Sequence, residues 1–334
     1  MSTPLISVLV PVLNETKGLD ALLERLRPIL DRIGDWELVF IDDGSTDGTL
    51  AQIRALHDAD PRIKAISFSR NFGKEIAIAA GLRYVRGAAT VIMDADLQHP
   101  PEVIDTFMAH WRDGYQVVYG ERQDRATDGA LRRLFSRAFY RTFNALSKSD
   151  IPEGAGDFRL LDRRAVDAMN ALDERSRFNK GLFSWIGFKS IGVPYTVADR
   201  AHGSSKWSFR TLFRFALDGL TSFSTLPLRV WSLLGLAISI TAFASALLYL
   251  VRTLIYGVDV PGFPSLIISV MIFSGVQLIS LGVLGEYLGR VYEEVKGRPL
   301  CIVAEEVGTS RTDHPTFRRG IVSPTRRGEV RGDA

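Results

Sequence analysis

TVIMDADLQHPPE, residues 90–102, is a short apolar run that breaks directly into two aspartates and then into a proline-led helix. The same rhythm repeats upstream. Residues 5–12 are a strand candidate, and the helix after them carries Leu19, Leu22, Leu23, Leu26 and Leu30 at helical spacing. Residues 36–41 form the next strand, ending in Asp42-Asp43-Gly44-Ser45, with Thr46 and Asp47 placed to cap a helix towards Ala59. Residues 64–68 give a third strand and 74–85 a helix; a further strand at 116–119 follows the helix that runs from Pro100 and Pro101 to Trp111. Strands alternating with helices predict a mostly parallel sheet with helices on both faces, whose ligands bind beyond the carboxyl ends of the strands. That rule puts Asp42, Asp43, Asp94 and Asp96 on one rim. Beyond Gly120 the alternation loosens into a polar stretch at 121–129, a helix over 131–146, a Gly-rich turn over 152–156 closed by Asp157, and a short helix over 163–172.

Asp94 and Asp96, two positions apart at the end of a strand, point the same way. Like charges held together destabilise each other unless a cation joins them. Hard divalent ions such as Mg2+ or Mn2+ take one or two carboxylates and complete their shell with substrate phosphates. Two solvated Asp residues at a strand-helix junction are the bland alternative. Asp42 or Asp43, as acceptor-only groups, suit a ribose or a base N–H, and Gly44 permits a tight turn; plain turn and cap chemistry also fits. Neither GxGxxG nor GxxxxGK[ST] occurs, so a nucleotide diphosphate would be neutralised by metal and basic side chains. Arg122, Arg159, and Arg200, Ser204 and Lys206 in the run RAHGSSKW are the candidates, against a reading as a solvated basic loop. Asp157 beside flexible glycines suggests a shaped pocket, although a turn leading into a helix fits equally.

The 334 residues suffice for one large domain with appendages. One cysteine, Cys301, excludes a disulfide framework and a cysteine metal cluster. Two stretches suit membrane spans, with a buried hairpin of a large soluble domain as the alternative. Residues 232–251 carry no charge and are bracketed by Arg229 and Arg252, and residues 265–288 have Gln277 as their one strongly polar residue before Glu286. Each is long enough to cross about 30 Å of hydrocarbon as a helix. No export signal is expected at the N-terminus, so the domain before the spans belongs in the cytoplasm, and Arg210, Arg214, Arg229, Arg290, Lys296 and Arg298 agree with positive-inside placement. Residues 208–225 place bulky apolar groups on one stripe and Arg on another, as expected of a helix lying in the membrane interface, or of an ordinary helix packed on the sheet. The net charge of +3, concentrated near the spans and tail, suits anionic headgroups better than nucleic acid. Gly275, Gly282 and Gly285 allow close helix approach, either between the two spans or in a homo-oligomer. The expected organisation is a catalytic domain over 1–207, an interfacial helix over 208–225, a two-span hairpin over 226–290, a return segment over 291–307 and a disordered Arg-rich tail over 308–334.

Taken in order, PVLNE (11–15), DDGSTD (42–47), SRNFGKE (69–75), DADLQHPPE (94–102), GDFRLLDRRAV (156–166) and the RxxGxSKW pattern (200–207) resemble the inverting family 2 glycosyltransferases of GT-A type that act on polyprenyl phosphates. The two-span tail looks like that of the bactoprenol glucosyltransferases and dolichyl-phosphate mannose synthases. The resemblance covers roughly residues 5–305 and implies a GT-A-like domain in a bacterial plasma membrane. It implies a donor site including Pro11, Asn14, Glu15, Lys74, Ala95 and Arg122, nucleoside contacts at Asp42 and Asp43, and Mg2+ or Mn2+ on Asp96 helped by Asp94. Gln98 would line the sugar pocket, Asp157 matches the proposed base, and Arg200, Ser204 and Lys206 match a phosphate-binding loop. The implied reaction is transfer of a hexose, with UDP-glucose favoured, to undecaprenyl phosphate for cell-envelope glycosylation. UDP-N-acetylglucosamine, another UDP-sugar and GDP-mannose are alternative donors. A nucleotide-binding membrane scaffold is the non-enzymatic alternative, and a processive polysaccharide synthase is disfavoured because no QxxRW follows the acidic motifs.

Overall fold

The structure, a computed structural model, describes residues 5–123, 155–172, 174–175, 177–196, 262–309 and 321–322, with scattered helical positions between 235 and 256. The elements β1 (Ile6–Val12), α1 (Leu19–Ile33), β2 (Trp36–Asp42), α2 (Thr49–Ala59), β3 (Ile63–Phe68), α3 (Lys74–Gly81), β4 (Ala89–Ile92), α4 (Val103–Arg112) and β5 (Val117–Arg122) follow one another. Then come β6 (Ala155–Asp162), α5 (Arg163–Asn170), α6 (Asn179–Trp185), β7 (Ser190–Tyr195), α7 (Phe263–Lys296), β8 (Cys301–Val307) and β9 (Ile321–Val322). The strands form one sheet in the order β7-β5-β6-β4-β1-β2-β3-β8-β9.

Alternation along the strands divides the core in two, because successive side chains leave opposite faces. Val8, Val10, Leu38 and Phe40 pack with Leu22 and Leu26 of α1, Ile53 of α2 and Phe107 of α4. Leu9, Val39 and Ile41 pack on the other face with Ala77 and Ile78 of α3, Val166 of α5 and Phe183 of α6. A side chain on Gly81 would run into Leu9 and Ile41, so α3 lies unusually close to the sheet.

The sheet is mixed, with most of its strand pairs parallel. β1, β2, β3 and β4 are mutually parallel, as expected, but β6 enters antiparallel between β4 and β5, and β8 runs antiparallel along β3. The Gly-rich turn expected to close at Asp157 is instead the start of β6 from Ala155, which leaves Asp157 inside a strand. Tertiary pairing overrides local turn chemistry there, as β6 bonds to a neighbour on each side. Three helices are shorter than predicted. α3 stops at Gly81, α4 begins at Val103 after a turn at the prolines, and α2 begins at Thr49, whose N–H donates to Asp47 Oδ1 at 2.9 Å.

The 34 residues of α7 extend about 51 Å at 1.5 Å each. Among the described residues one helical stretch, Ile272–Lys296, is long and apolar enough to cross a membrane, and its apolar side chains are exposed. This candidate overlaps the second of the two spans expected; of residues 232–251, half are described, each of them helical. Beyond it, β8 returns to the sheet, fastened by Arg54 to Glu305 and by Tyr84, whose hydroxyl donates to Glu306 Oε1 at 2.9 Å. In the tail expected to be disordered, Ile321 and Val322 pair with Cys301 and Ile302. The expected helices at 131–146 and 208–225 lie outside the described residues.

Candidate active site

Pro11 explains where the sheet opens. β1 and β4 stay in register only from Ile6 to Leu9, and Pro11, which has no N–H to offer a neighbour, stands where pairing with β4 has ended. β1 is also where the strand order reverses, with β4 on one side and β2 on the other, so the gap is the switch point at which open α/β sheets bind ligands. The loops after β1 and β4 line it. They carry the two non-glycine residues with positive φ among the described residues, Asn14 at 57° and Leu97 at 59°. Such backbone costs about 1–3 kcal/mol and concentrates at ligand sites. Asn14 is held by Thr46 N–H, which donates to its Oδ1 at 2.8 Å, while its own N–H donates to Ser45 Oγ at 2.9 Å. The Glu15 N–H donates to Thr49 Oγ1 at 3.0 Å.

Asp42 and Asp43 sit on the expected rim, but each is buried and committed to protein donors. Asp42 accepts from Ser45 N–H at 3.0 Å and from Ser67 Oγ at 2.6 Å. Asp43 accepts from the N–H groups of Phe72 and Gly73 at 2.7 and 2.9 Å. Burial pushes the Asp43 carboxyl up, against those two hydrogen bonds. Gly44, at φ 73°, is packed so closely on the Arg70 backbone that any Cβ would clash. The DDGSTD stretch therefore fastens the loop before α3 to the end of β2.

The ionic centre is less buried, with side chains 12% to 39% exposed. Lys74 Nζ, on the first residue of α3, is 2.6 Å from Asp94 Oδ1 and 2.9 Å from Asp157 Oδ2. Burial alone would raise the Asp157 carboxyl, but Lys74, then Lys180 and Arg159, outweigh it and hold the group well below the usual carboxylate range. The Lys74 ammonium is correspondingly raised, its burial outweighed by Asp157 and Asp94. Asp157 Oδ1 is buried with no hydrogen-bond partner among the described residues. An orphaned carboxylate oxygen of this kind costs about 1–3 kcal/mol, which a bound donor or cation would recover. Asp96 Oδ1 accepts from Gln98 N–H at 3.1 Å, and Ala95 is buried between the two acids.

Beneath the acids, His99 accepts the Asp94 N–H on Nδ1 at 3.1 Å and stacks on Phe158 at 4.9 Å. Burial depresses its pKa, which keeps Nδ1 available as an acceptor. Alternation along β6 accounts for the arrangement: Phe158 faces His99 and Phe107, while Asp157 on the opposite face meets Lys74. Arg159, expected as a phosphate candidate, is buried with its guanidinium 3.9 Å above the Phe183 ring, and its charge acts on Asp157. Arg122 ends β5 on the same edge of the sheet, in register with Tyr195. Arg200, Ser204 and Lys206 lie outside the described residues.

Sequence reasoning passed over His99, Glu75 and Asn179. The first two lie inside quoted motifs, next to Gln98 and Lys74, so a signal was present. Asn179 had none. It is fully buried, its N–H donates to Glu75 Oε2 at 2.7 Å and its side-chain amide to the Glu75 carbonyl at 2.9 Å. Burial and the Asp157 carboxylate push Glu75 up to about 6.

Among the described residues no group of three or more His, Cys, Asp or Glu is arranged to hold a metal. Asp94 and Asp96 offer hard oxygen donors only, a set that suits Mg2+ or Mn2+ when phosphates and water supply the remaining ligands.

A family model described as Glycosyl transferase family 2 matches residues 7–169. An uncharacterized glycosyltransferase of Synechocystis is 44% identical over 90% of this chain and 95% of its own length. The SfII prophage-derived bactoprenol glucosyl transferase of Shigella flexneri is also 44% identical, over 89% of this chain and 97% of its own. Among solved structures, the glucosyl-3-phosphoglycerate synthase of Mycobacterium tuberculosis, in complex with Mn2+, UDP and glucosyl-3-phosphoglycerate, overlaps 65% of this chain and 78% of that one. Its identity is 20% and its TM-score 0.43.

Proposed function

The chain belongs to glycosyl transferase family 2, and we propose that it transfers a hexose, from UDP-glucose in the first instance, to a membrane-held polyprenyl phosphate with inversion at the anomeric carbon. The observation that carries this reading is the 44% identity sustained along 97% of the bactoprenol glucosyl transferase. The apolar, exposed α7 supports a membrane setting, with a hairpin of two spans as the finer proposal. The same resemblance supports a cytoplasmic catalytic domain at a bacterial plasma membrane.

In the proposed reaction an oxygen of the acceptor phosphate attacks the anomeric carbon as the bond from that carbon to the nucleotide's β-phosphate oxygen breaks, and the electron pair leaves with the nucleoside diphosphate. Asp94 and Asp96 would hold Mg2+ or Mn2+, which supplies charge neutralisation for the departing diphosphate. Lys74 adds a fixed positive charge at the same rim. The acceptor's second pKa is near 6, so it is largely a dianion at neutral pH and needs no proton removed. Asp157, kept ionised by Lys74, is a weak base. Its role is to hold the ammonium in place and to orient the incoming phosphate through its bound cation. Gln98 is proposed for the sugar, Glu15 for the donor, and Arg200, Ser204 and Lys206 for the phosphates.

The test incubates membranes holding the full chain with labelled UDP-glucose, UDP-N-acetylglucosamine and GDP-mannose. Label in a mild-acid-labile lipid is expected from the first. Label in a polymer, or in nothing with any donor, would overturn the reading.

A further inference from the structure

Arg175, between α5 and α6, makes its polar contacts with the far end of the apolar helix. Its N–H donates to Glu294 Oε1 at 2.7 Å, Nη1 donates to the Glu294 carbonyl at 3.0 Å, and Nε donates to the Arg298 carbonyl at 2.8 Å. Nη1 also stands 3.6 Å from Glu294 Oε2. The last carbonyls of a helix have no intrahelical partner and form the negative end of its dipole, so a guanidinium there is both cap and counter-charge. Gly297, at φ 67°, turns the chain beside it. Arg175 thus caps α7 from the catalytic side.

The same short segment reaches the ionic centre. Arg177 donates to the carbonyls of Leu172 and Met169, tying the segment to the end of α5. Asn179 then donates twice to Glu75, whose chain neighbour Lys74 holds Asp94 and Asp157. From the end of α7 to Asp157 the links are polar and short, and most of them are partly buried. Packed, hydrogen-bonded elements of this kind transmit position because they cannot deform gradually.

We propose that Arg175 is a positioning residue, which sets the height of the Lys74–Asp157 site above the bilayer by fastening the end of α7 to the first turn of α3. The inference rests on the reading that α7 crosses the bilayer and that the acceptor phosphate is membrane-held. A lipid phosphate sits at a fixed depth, so loss of the cap displaces the reacting atoms relative to it, and a displacement near 1 Å can cost about a hundredfold in rate. A short, water-soluble isoprenyl phosphate reaches the site by diffusion and is indifferent to that height.

The experiment places full-length protein in phosphatidylglycerol–phosphatidylethanolamine vesicles and compares undecaprenyl phosphate in the bilayer with a soluble short-chain isoprenyl phosphate, using the donor that wild type turns over. Arg175→Ala is expected to lose about tenfold or more on the embedded acceptor, yet stay within about twofold on the soluble one, with unchanged donor affinity. Arg175→Lys should recover part of the loss, because an ammonium still caps carbonyls but lacks the guanidinium fork. Equal losses on both acceptors with a lowered melting temperature would reduce Arg175 to a structural cap and overturn the inference, and so would no loss on either. Wild type that transfers to neither acceptor would instead sink the reading beneath it, and the inference with it.

Discussion

Lys74 Nζ stands 2.9 Å from Asp157 Oδ2, joining the first residue of α3 to a strand that enters the sheet from much later in the chain. The pair is the reason the rim tolerates Asp94, Asp96 and Asp157 together. Removing the ammonium leaves carboxylates whose mutual repulsion is no longer offset. Lys74→Met should therefore lower both stability and transfer, read by melting and by product formation, whereas Asp157→Asn should lower transfer by about a hundredfold with a smaller change in melting. Equal activity of Asp157→Asn and wild type would remove the acid from the chemistry.

Asp96→Ala tests the proposed metal. The variant should stay folded and lose the donor affinity that Mg2+ or Mn2+ confers, measured by calorimetry with UDP-sugar in the presence and absence of EDTA. Identical donor binding with and without chelator, in both proteins, would dismiss a metal role.

Glu75 carries a pH dependence with a definite sign. Its folded pKa of about 6 lies above the 4.5 of an unperturbed Glu, so the folded state binds the proton more tightly than the unfolded one. Its contribution is most favourable below 4.5 and is lost as pH rises through about 6. Glu75→Gln keeps an acceptor for the Asn179 N–H and removes the charge. Its melting temperature relative to wild type should rise by a few degrees between pH 4.5 and pH 7.5.

Asn179→Ala leaves the Glu75 carbonyl and the buried space around it without the amide. A loss of about 1–3 kcal/mol is expected in denaturant unfolding of the detergent-solubilised protein. A cost below a few tenths would show that water replaces the amide.

A chain ended after Gly308 keeps the β3–β8 pairing, while one ended after Lys296 uncovers the β3 edge from Ala65 to Phe68. The shorter chain should aggregate, as an open apolar edge invites strand pairing, and the longer one should stay dispersed in detergent. Size-exclusion profiles of the two distinguish these outcomes.

Much of the first half was legible because its signals are local. β1 to β4 are apolar runs with both faces buried, the Leu spacing of α1 marks one face, and acids follow the ends of β2 and β4. Family membership followed from six motifs in order. The commitments of Asp42 and Asp43 were not legible, since their partners, Ser67, Phe72 and Gly73, come from another strand and its loop.

The chain's own pattern determined a strand-helix alternation, an acidic rim at the strand ends, and apolar segments too long for a modest core, because periodicity, turn residues and uninterrupted apolar runs act between near neighbours. Tertiary structure alone decided that β6 and β8 enter antiparallel, that Asp157 lies in a strand opposite Lys74, and that Arg175 meets the end of α7. Each of those contacts joins residues far apart in the chain. Their stabilisation arises only when burial and pairing are satisfied at once, which no window of sequence contains.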